Sequence, residues 1–403
     1  MIRLLLNPDV YYEKGLRKDI CYSLYDGKVY YFDDEHRKIV EKLFNGINED
    51  EFNFIERKVM LFFENNGLGI KDEYMENQKA LSTVEPFKMN FFDLKAYERL
   101  KKLNIKRCMI QITGECNYNC EYCQSKNYIP CSCAKNKDGE ENSINWEYLF
   151  IQLKRLGVEK INIIGGEPYL KRNTINEILK ILKRLEIGCI ISTNGSLLKE
   201  DDIKFLGKHK CSIELFVPSL NEDSMKGISG ICGIKKQIEN VIHLFNKYNI
   251  NYSIISVFSK LTLHENKDLI TEASCKDKIL YKSDLPPSEY AVIIDNSVKY
   301  CIENTPVNYL NFESLKNFNP CLRNTIFINS VGDIKLCQKL DESLGNVSET
   351  LYKSLMSDKI FDTWEINNYE DSKCSSCCKK LMCINCKANL LQGSTEYECM
   401  SKE

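Results

Sequence analysis

The sequence predicts an α/β protein whose central part is a parallel sheet or barrel covered by helices. Two observations support this fold class. Between about residues 105 and 260, short apolar stretches alternate with longer stretches whose apolar residues recur at helical spacing. The short stretches are almost continuously apolar, which is typical of strands that are buried on both faces. A chain of 403 residues with 43% hydrophobic residues is also long enough for two or three domains.

The start of the chain predicts a small module that precedes this sheet. In residues 19–33, Asp26 and Gly27 separate two runs rich in Tyr and Val, a pattern typical of a β-hairpin. Two helical stretches follow and stop at Gly46 and Gly67. Strands followed by two short helices indicate a winged helix-turn-helix. Its second helix is rich in Glu and therefore a poor contact for the phosphates of DNA.

The alternating pattern of the central part predicts five strands and four helices. The strands are predicted within residues 107–113, 159–166, 188–195, 211–219 and 251–259. The helices are predicted within residues 145–157, 173–186, 200–209 and 234–248. Three nearby cysteines follow the first strand, and the carboxyl ends of parallel strands are where such folds place their active sites.

The pattern changes from about residue 310. A hairpin that turns at Gly332 and Asp333 is predicted first, and a short, polar, cysteine-rich segment follows. Such a segment is stabilised by metals rather than by a large core. We therefore expect four parts, at residues 1–75, 76–104, 105–305 and 306–403, the second being a linker.

Composition excludes some function classes. The formal net charge of -2 gives no basic excess for nucleic acid, so a nucleic-acid partner is not expected. No apolar run approaches the ~20 residues of a membrane span, and the apolar run at the start is too short for a secretion signal. We therefore expect a cytoplasmic protein without a membrane anchor.

The 20 cysteines predict metal binding, because the cytosol keeps thiols reduced and a disulfide framework is not expected there. One cluster comprises Cys116, Cys120 and Cys123. A second comprises Cys321, Cys337, Cys374, Cys377, Cys378, Cys383, Cys386 and Cys399. The isolated cysteines are expected to be ordinary buried side chains; they are Cys21, Cys108, Cys189, Cys211, Cys232, Cys275 and Cys301.

The first cluster has the spacing C-x3-C-x2-C and no nearby histidine. Zinc sites prefer four ligands, whereas three cysteines suit a [4Fe-4S] cluster with one iron left open. With the aromatic Tyr122 before Cys123, the stretch resembles the signature of the radical S-adenosylmethionine (SAM) enzymes. That resemblance implies a partial (β/α)6 TIM-like barrel, and a cluster that cleaves SAM to a radical which abstracts a substrate hydrogen.

Two further motifs strengthen the resemblance. "GGEP" ends the second predicted strand, and "ISTNGS" ends the third. In the family, the first motif bonds the ammonium of SAM and the second contacts its ribose or carboxylate. The resemblance therefore implies cofactor contacts by Tyr122, Gly165, Gly166, Glu167, Pro168, Ser192 and Asn194.

The second cluster resembles the SPASM extension of radical enzymes that modify peptides. This implies two auxiliary [4Fe-4S] clusters, and three clusters in all; a structural zinc ribbon is the alternative. By the resemblance, auxiliary cluster I takes Cys321, Cys337 and Cys386. Auxiliary cluster II takes Cys374, Cys377, Cys383 and Cys399.

Auxiliary cluster I has only three clear ligands in this sequence. The family's usual fourth position is occupied by Phe327, so an open iron that binds a substrate cysteine is expected. Cys378 is the rival ligand that could close the cluster. Cys131 and Cys133, just past the first cluster, are interpreted as ordinary loop cysteines, with thiol exchange at the cavity mouth as the alternative.

The first module resembles the recognition element of ribosomal peptide maturases, which adds a leader peptide to a strand edge. The whole chain thus resembles a maturase that installs thioether cross-links in a ribosomally made precursor, with flavodoxin or ferredoxin as electron donor. Carbon-carbon cross-linking and epimerisation are alternatives with the same modules. Formylglycine formation on a sulfatase and an iron-sulfur or zinc regulator acting on DNA are further alternatives.

Overall fold

The computed structural model describes residues 1–16, 18–72, 105–120, 144–217, 219, 221–258, 279–283, 312, 315–316, 318–319, 321–349, 351–355, 358–365, 375–378 and 380–381. The predicted linker at residues 76–104 lies outside this part of the chain. So do ten of the cysteines and aromatic residues discussed above, namely Tyr122, Cys123, Cys131, Cys133, Cys275, Cys301, Cys374, Cys383, Cys386 and Cys399.

Two small sheets and two helices form the front of the chain. The strands are β1 (Arg3–Leu6), β2 (Val10–Glu13), β3 (Asp19–Ser23), β4 (Val29–Phe32) and β5 (Gly69–Asp72), and the helices are α1 (Asp34–Asn45) and α2 (Phe54–Asn65). β1 pairs with β5, and the antiparallel order β2-β3-β4 makes the second sheet. The predicted hairpin and both predicted helices are confirmed. Gly46 and Gly67 follow the helices with φ of 89° and 65°, which glycine adopts most readily.

The helices of this module begin at good caps. Asp33 accepts hydrogen bonds from the backbone N–H groups of Glu35 and His36 at the start of α1, and Asn53 forms a capping box with Glu56 at the start of α2. Their apolar faces pack on the sheets, where Val40, Leu43, Met60 and Phe63 are buried. The module thus has its own core.

A third, larger sheet forms the centre of the molecule. The central part of the chain contributes six parallel strands to it, namely β6 (Arg107–Gln111), β7 (Lys160–Ile164), β8 (Gly188–Thr193), β9 (Ser212–Phe216), β10 (Tyr252–Phe258) and β11 (Ile279–Ser283). The helices along this part are α3 (Trp146–Arg155), α4 (Arg172–Arg184), α5 (Glu200–Lys208), α6 (Glu222–Ser229) and α7 (Ile234–Lys247). All five predicted strands and all four predicted helices are confirmed.

Two central elements were not predicted, α6 and β11. The helix α6 has only eight residues, although Asn221 caps its start and Gly230 ends it in the left-handed conformation. Those two residues were the signal that could have identified it. The mainly parallel order of the central sheet agrees with the predicted α/β class.

The C-terminal part joins the same sheet. β12 (Thr325–Ile328) lies parallel to β6, and β13 (Asp333–Lys335) and β14 (Gly345–Asn346) continue the sheet in antiparallel order. Two helices follow, α8 (Leu351–Leu355) and α9 (Asp358–Glu365). The predicted hairpin is confirmed, with Gly332 at φ 91° in its turn. This part therefore closes one edge of the central sheet instead of packing as a separate unit.

The two faces of the central sheet differ in what they contact. Ile110, Ile163 and Ile191 belong to the main core beneath the helices. Met109 and Phe327 are paired in register on neighbouring strands, and with Ile164 they form a separate apolar cluster. Because side chains alternate along a strand, this cluster marks the opposite face of the sheet.

The front module contacts the C-terminal part directly. Glu13 and Lys380 form an ion pair of 2.8 Å whose side chains are 12% and 7% exposed. The Tyr22 hydroxyl donates to the carbonyl of Cys378 at 3.4 Å, and the ring of Tyr11 lies 4.8 Å from that of Phe312. Within the described residues, no helix is long and apolar enough to cross a membrane.

Candidate functional site

The candidate site lies where the loop after β6 meets the turns that follow β7 and β8. This loop carries Cys116, which is half-buried, and Cys120, which is 7% exposed. The third cysteine of the array, Cys123, and its neighbour Tyr122 lie outside the described residues. The site is at the carboxyl ends of parallel strands, as the sequence predicted.

The glycine turn after β7 packs directly on the cysteine loop. The backbone N–H groups of Gly166 and Glu167 donate to the carbonyls of Thr113 and Glu115 at 3.0 and 2.8 Å. A Cβ on Gly166 would overlap the Glu115 carbonyl and approach the Cys116 Cβ to 2.9 Å. Glycine is thus required here for the close approach of two backbones. Since these N–H groups are engaged, the carbonyls of the turn are the groups suited to accept from an ammonium.

The Glu167 carboxylate joins the β7 turn to the β8 turn. It is fully buried and accepts hydrogen bonds from the Thr193 hydroxyl at 2.7 Å and from the backbone N–H groups of Tyr169 and Asn194, both at 2.9 Å. Burial raises the pKa of this carboxyl, while the three donors oppose that shift. Glu167 therefore fixes the turn after β7 and the turn after β8 relative to each other. Pro168 next to it is buried and begins a short 3-10 turn.

The two polar residues predicted on the third strand both bond to other side chains. Ser192 donates from its hydroxyl to a carboxylate oxygen of Glu214 on β9 at 2.6 Å. Asn194 donates from its side-chain amide to the Asn117 side-chain carbonyl at 3.0 Å. Its own side-chain carbonyl accepts from the backbone N–H and the hydroxyl of Ser196 at 2.9 and 2.6 Å.

Sequence reasoning missed the role of Asn117, the residue that follows Cys116. Besides accepting from Asn194, it donates from its amide to the Ser196 hydroxyl at 2.8 Å. No local pattern indicates this contact, because the partners lie 77 and 79 positions away along the chain.

The cysteine thiols and the glycine turn of this site are suited to an iron-sulfur cluster and SAM. The backbone N–H of Tyr118 points at the Cys116 sulfur at 3.4 Å, as is common for sulfurs that ligate a cluster. Tyr118 itself is 4% exposed, and burial raises the pKa of its hydroxyl to about 12, so this side chain is neutral. The glycine turn lies beside these thiols, because residues without Cβ atoms let its backbone pack directly on the cysteine loop.

The second cysteine cluster is only partly within the described residues. Cys321 is exposed, Cys337 and Cys377 are half-buried, and Cys378 is buried. The described side chains include no group of three His, Cys, Asp or Glu residues arranged to hold a metal; four of the seven predicted ligands fall in the rest of the chain. Phe327 is a buried β12 residue, which agrees with the absence of a ligand at this position.

Among the isolated cysteines that the structure describes, four follow the prediction and one does not. Cys21, Cys108, Cys189 and Cys211 are buried, as expected. Cys232 is exposed, so the expectation was wrong there. It lies in the short turn between Gly230 and Gly233, both of which have positive φ. A tight surface turn keeps its side chain out of the core.

Comparison with known proteins identifies the central part of the chain. Residues 110–273 match the family model of the Radical SAM superfamily, so this stretch is a radical SAM domain. A GTP 3',8-cyclase of Campylobacter jejuni is 35% identical over 122 residues, which are 28% of this chain and 35% of that protein. A probable GTP 3',8-cyclase of Thermococcus kodakarensis is 33% identical over 136 residues, 33% of this chain and 41% of that protein. The chain thus covers well under half of these curated relatives.

Solved structures are similar over more of the chain. The structure of Streptococcus suis SuiB bound to precursor peptide SuiA matches this chain with a TM-score of 0.56 at 18% identity. The match covers 100% of both chains. The enzyme anSMEcpe with bound AdoMet and a Kp18Cys peptide has a TM-score of 0.50 at 17% identity, over 64% of this chain and 82% of its own. At these identities the similarity establishes a shared fold.

Proposed function

We propose that the protein is a radical SAM peptide maturase that installs thioether cross-links in a ribosomally made precursor peptide. The observation that carries the proposal is the packing of the Gly166 turn on the Cys116 loop. It joins the predicted cluster ligands to the predicted cofactor turn at the carboxyl ends of the parallel strands. The match to the Radical SAM superfamily over residues 110–273 supports the same chemistry.

Cys116, Cys120 and Cys123 would hold the radical cluster, and the turn from Gly165 to Pro168 would hold the amino acid part of SAM. When bound, the cluster and SAM would supply one-electron cleavage of the sulfonium and hydrogen abstraction from carbon. Glu167 keeps the two turns in register through its hydrogen bonds to Thr193 and Asn194.

The front module supports a peptide as substrate. Within the described residues β4 pairs with β3 alone, so its outer edge offers backbone donors and acceptors to a further strand. Beside this edge, the rings of Phe62 on α2 and Tyr30 on β4 pack edge to face, with their centroids 5.6 Å apart. Phe54, Ile55 and Leu61 of α2 are between 52% and 69% exposed. An added leader strand would pack beside the Tyr30–Phe62 pair.

The C-terminal cysteines support the thioether chemistry. Cys321, Cys337 and Cys386 would hold auxiliary cluster I and leave one position open to a cysteine of the precursor, whose thiol would then be deprotonated. Cys374, Cys377, Cys383 and Cys399 would hold auxiliary cluster II. Each cross-link would remove two hydrogens and one alkylatable thiol from the precursor.

A nucleotide substrate is the rival, because the curated relatives are GTP 3',8-cyclases. Their similarity covers only 28% and 33% of this chain. SuiB, whose structure contains a precursor peptide, covers the front and C-terminal parts as well. Since the similarity to SuiB spans the whole chain and that to the cyclases only about a third of it, the peptide is favoured.

The reconstituted enzyme is incubated with SAM, a reductant and each candidate peptide encoded by a short open reading frame beside its gene, and with GTP in a parallel reaction. We expect a loss of two hydrogens per cross-link in the peptide, with one thiol per link no longer reactive to iodoacetamide. Loss of two hydrogens with every thiol still reactive would replace the thioether by a carbon-carbon link. Conversion of GTP with the peptide unchanged would contradict the proposal.

A further inference from the structure

Three side chains close a ring of hydrogen bonds at the mouth of the site. Asn194 donates to Asn117 at 3.0 Å, Asn117 donates to Ser196 at 2.8 Å, and Ser196 donates back to Asn194 at 2.6 Å. Each member gives one hydrogen bond and accepts one, so the donors all point the same way around the ring. Such circuits strengthen each bond by polarisation.

The ring is held from two sides. The backbone N–H of Asn194 donates to the buried carboxylate of Glu167 at 2.9 Å, and the Ser196 carbonyl accepts from the side-chain amide of Gln237 on α7. These two bonds hold the turn after β8 in place independently of the cysteine loop. Asn117 is the one member of the ring that belongs to that loop.

We propose that Asn117, Asn194 and Ser196 form a clasp that holds the cysteine loop in the geometry required to bind the cluster and SAM. Residues 112–120 contain neither helix nor strand, so their conformation depends on such contacts. Partners beyond the ligands commonly orient metal-binding side chains in this way. The inference rests on the proposed function, because it takes Cys116 and Cys120 as cluster ligands.

The clasp also assigns a different role to Asn194. Its side-chain carbonyl and amide are both engaged by the clasp, whereas the family resemblance gives this position a direct contact with SAM. In the clasp, Asn194 acts on the cofactor through Asn117 and is a positioning residue. Asn117 distinguishes the two roles, since only the clasp makes it important.

The test compares Asn117→Ala, Asn194→Ala and the double variant in the full-length, anaerobically reconstituted chain. SAM affinity is measured from the change that SAM causes in the electron paramagnetic resonance spectrum of the reduced cluster, and iron release to a chelator is timed. The matched control is Asn251→Ala, which removes an asparagine-to-serine hydrogen bond of 3.3 Å to Ser212 at the opposite ends of the strands. Melting curves by circular dichroism show whether each variant is folded.

We expect both single variants to weaken SAM binding and to speed iron release by about fivefold or more, the ratio that a lost hydrogen bond produces. The double variant should resemble either single one, because one break opens the whole ring. Asn251→Ala should match the wild type. Weakened binding in Asn194→Ala with wild-type behaviour in Asn117→Ala would overturn the clasp and indicate direct contact. A wild-type chain whose cluster spectrum does not respond to SAM would instead refute the proposed function.

Discussion

Gly166 lies against Cys116 so closely that a single methyl group does not fit between them. A Cβ on Gly166 would come within 2.9 Å of the Cys116 Cβ and would overlap the carbonyl of Glu115. The backbone conformation of Gly166 is not in the left-handed region, so the lack of space, not φ, is what demands glycine. This contact holds the predicted cofactor turn on the predicted cluster loop.

Gly166→Ala should therefore separate the two parts of the site. The cysteine loop has to move because the obstacle is backbone, and such overpacking costs about 1–3 kcal/mol. We expect SAM cleavage to be lost, as measured by chromatography of the cleavage products. The control is Gly188→Ala at the start of the neighbouring strand β8, where the nearest atom to an added Cβ is 3.4 Å away. Cleavage at the wild-type rate in Gly166→Ala would refute the role of this contact.

The Glu13–Lys380 ion pair should stabilise the docking of the front module on the C-terminal part. Both side chains are largely buried, and removing one member of a buried pair leaves an uncompensated charge that costs about 3–5 kcal/mol. We expect Glu13→Gln to lower the urea midpoint of unfolding. Lys14→Met is the matched control, because the neighbouring pair Lys14–Glu41 is 61% and 58% exposed and is screened by solvent. Equal midpoints for the two variants would contradict this assignment.

Cys378 should behave as an interface residue and not as a cluster ligand. Cys378 is fully buried. A Cβ placed on Gly15 of the front module would come within 2.9 Å of the Cys378 Cβ. Its carbonyl accepts from Tyr22. We expect Cys378→Ala to retain the wild-type iron content in an iron and sulfide assay, whereas Cys377→Ala loses iron. Loss of about one cluster in Cys378→Ala would show that it closes auxiliary cluster I.

Among the isolated cysteines of the described ranges, Cys232 should react first with iodoacetamide in the native protein. Its side chain is exposed, whereas Cys21, Cys108 and Cys211 are buried and burial raises the pKa of each thiol. A raised pKa lowers the thiolate fraction at any given pH, and the thiolate is the reactive form. Peptide mapping by mass spectrometry after short alkylation at pH 8 measures the order. Alkylation of Cys21 as fast as Cys232 would contradict the buried assignment.

The sequence predicted the features that local patterns determine. Continuous apolar runs identified the parallel strands, and Gly46, Gly67 and Gly332 marked the ends and turns of the elements that they follow or join. The clasp was not predictable, because Asn117 and Ser196 are brought together only by the fold. The place of β12 beside β6 is likewise a long-range pairing without a local signal. Cys232 was wrongly expected to be buried because composition alone does not separate a core thiol from one in a tight turn.

The central claim is that Cys116, Cys120 and Cys123 hold a cluster that cleaves SAM. The most direct measurement replaces all three by Ala and determines iron, sulfide and SAM cleavage after anaerobic reconstitution. Three [4Fe-4S] clusters correspond to on the order of twelve irons per chain. We expect the triple variant to lose about a third of that iron and all SAM cleavage, while the auxiliary clusters remain. Unchanged iron content, or SAM cleavage that persists in the triple variant, would contradict the claim.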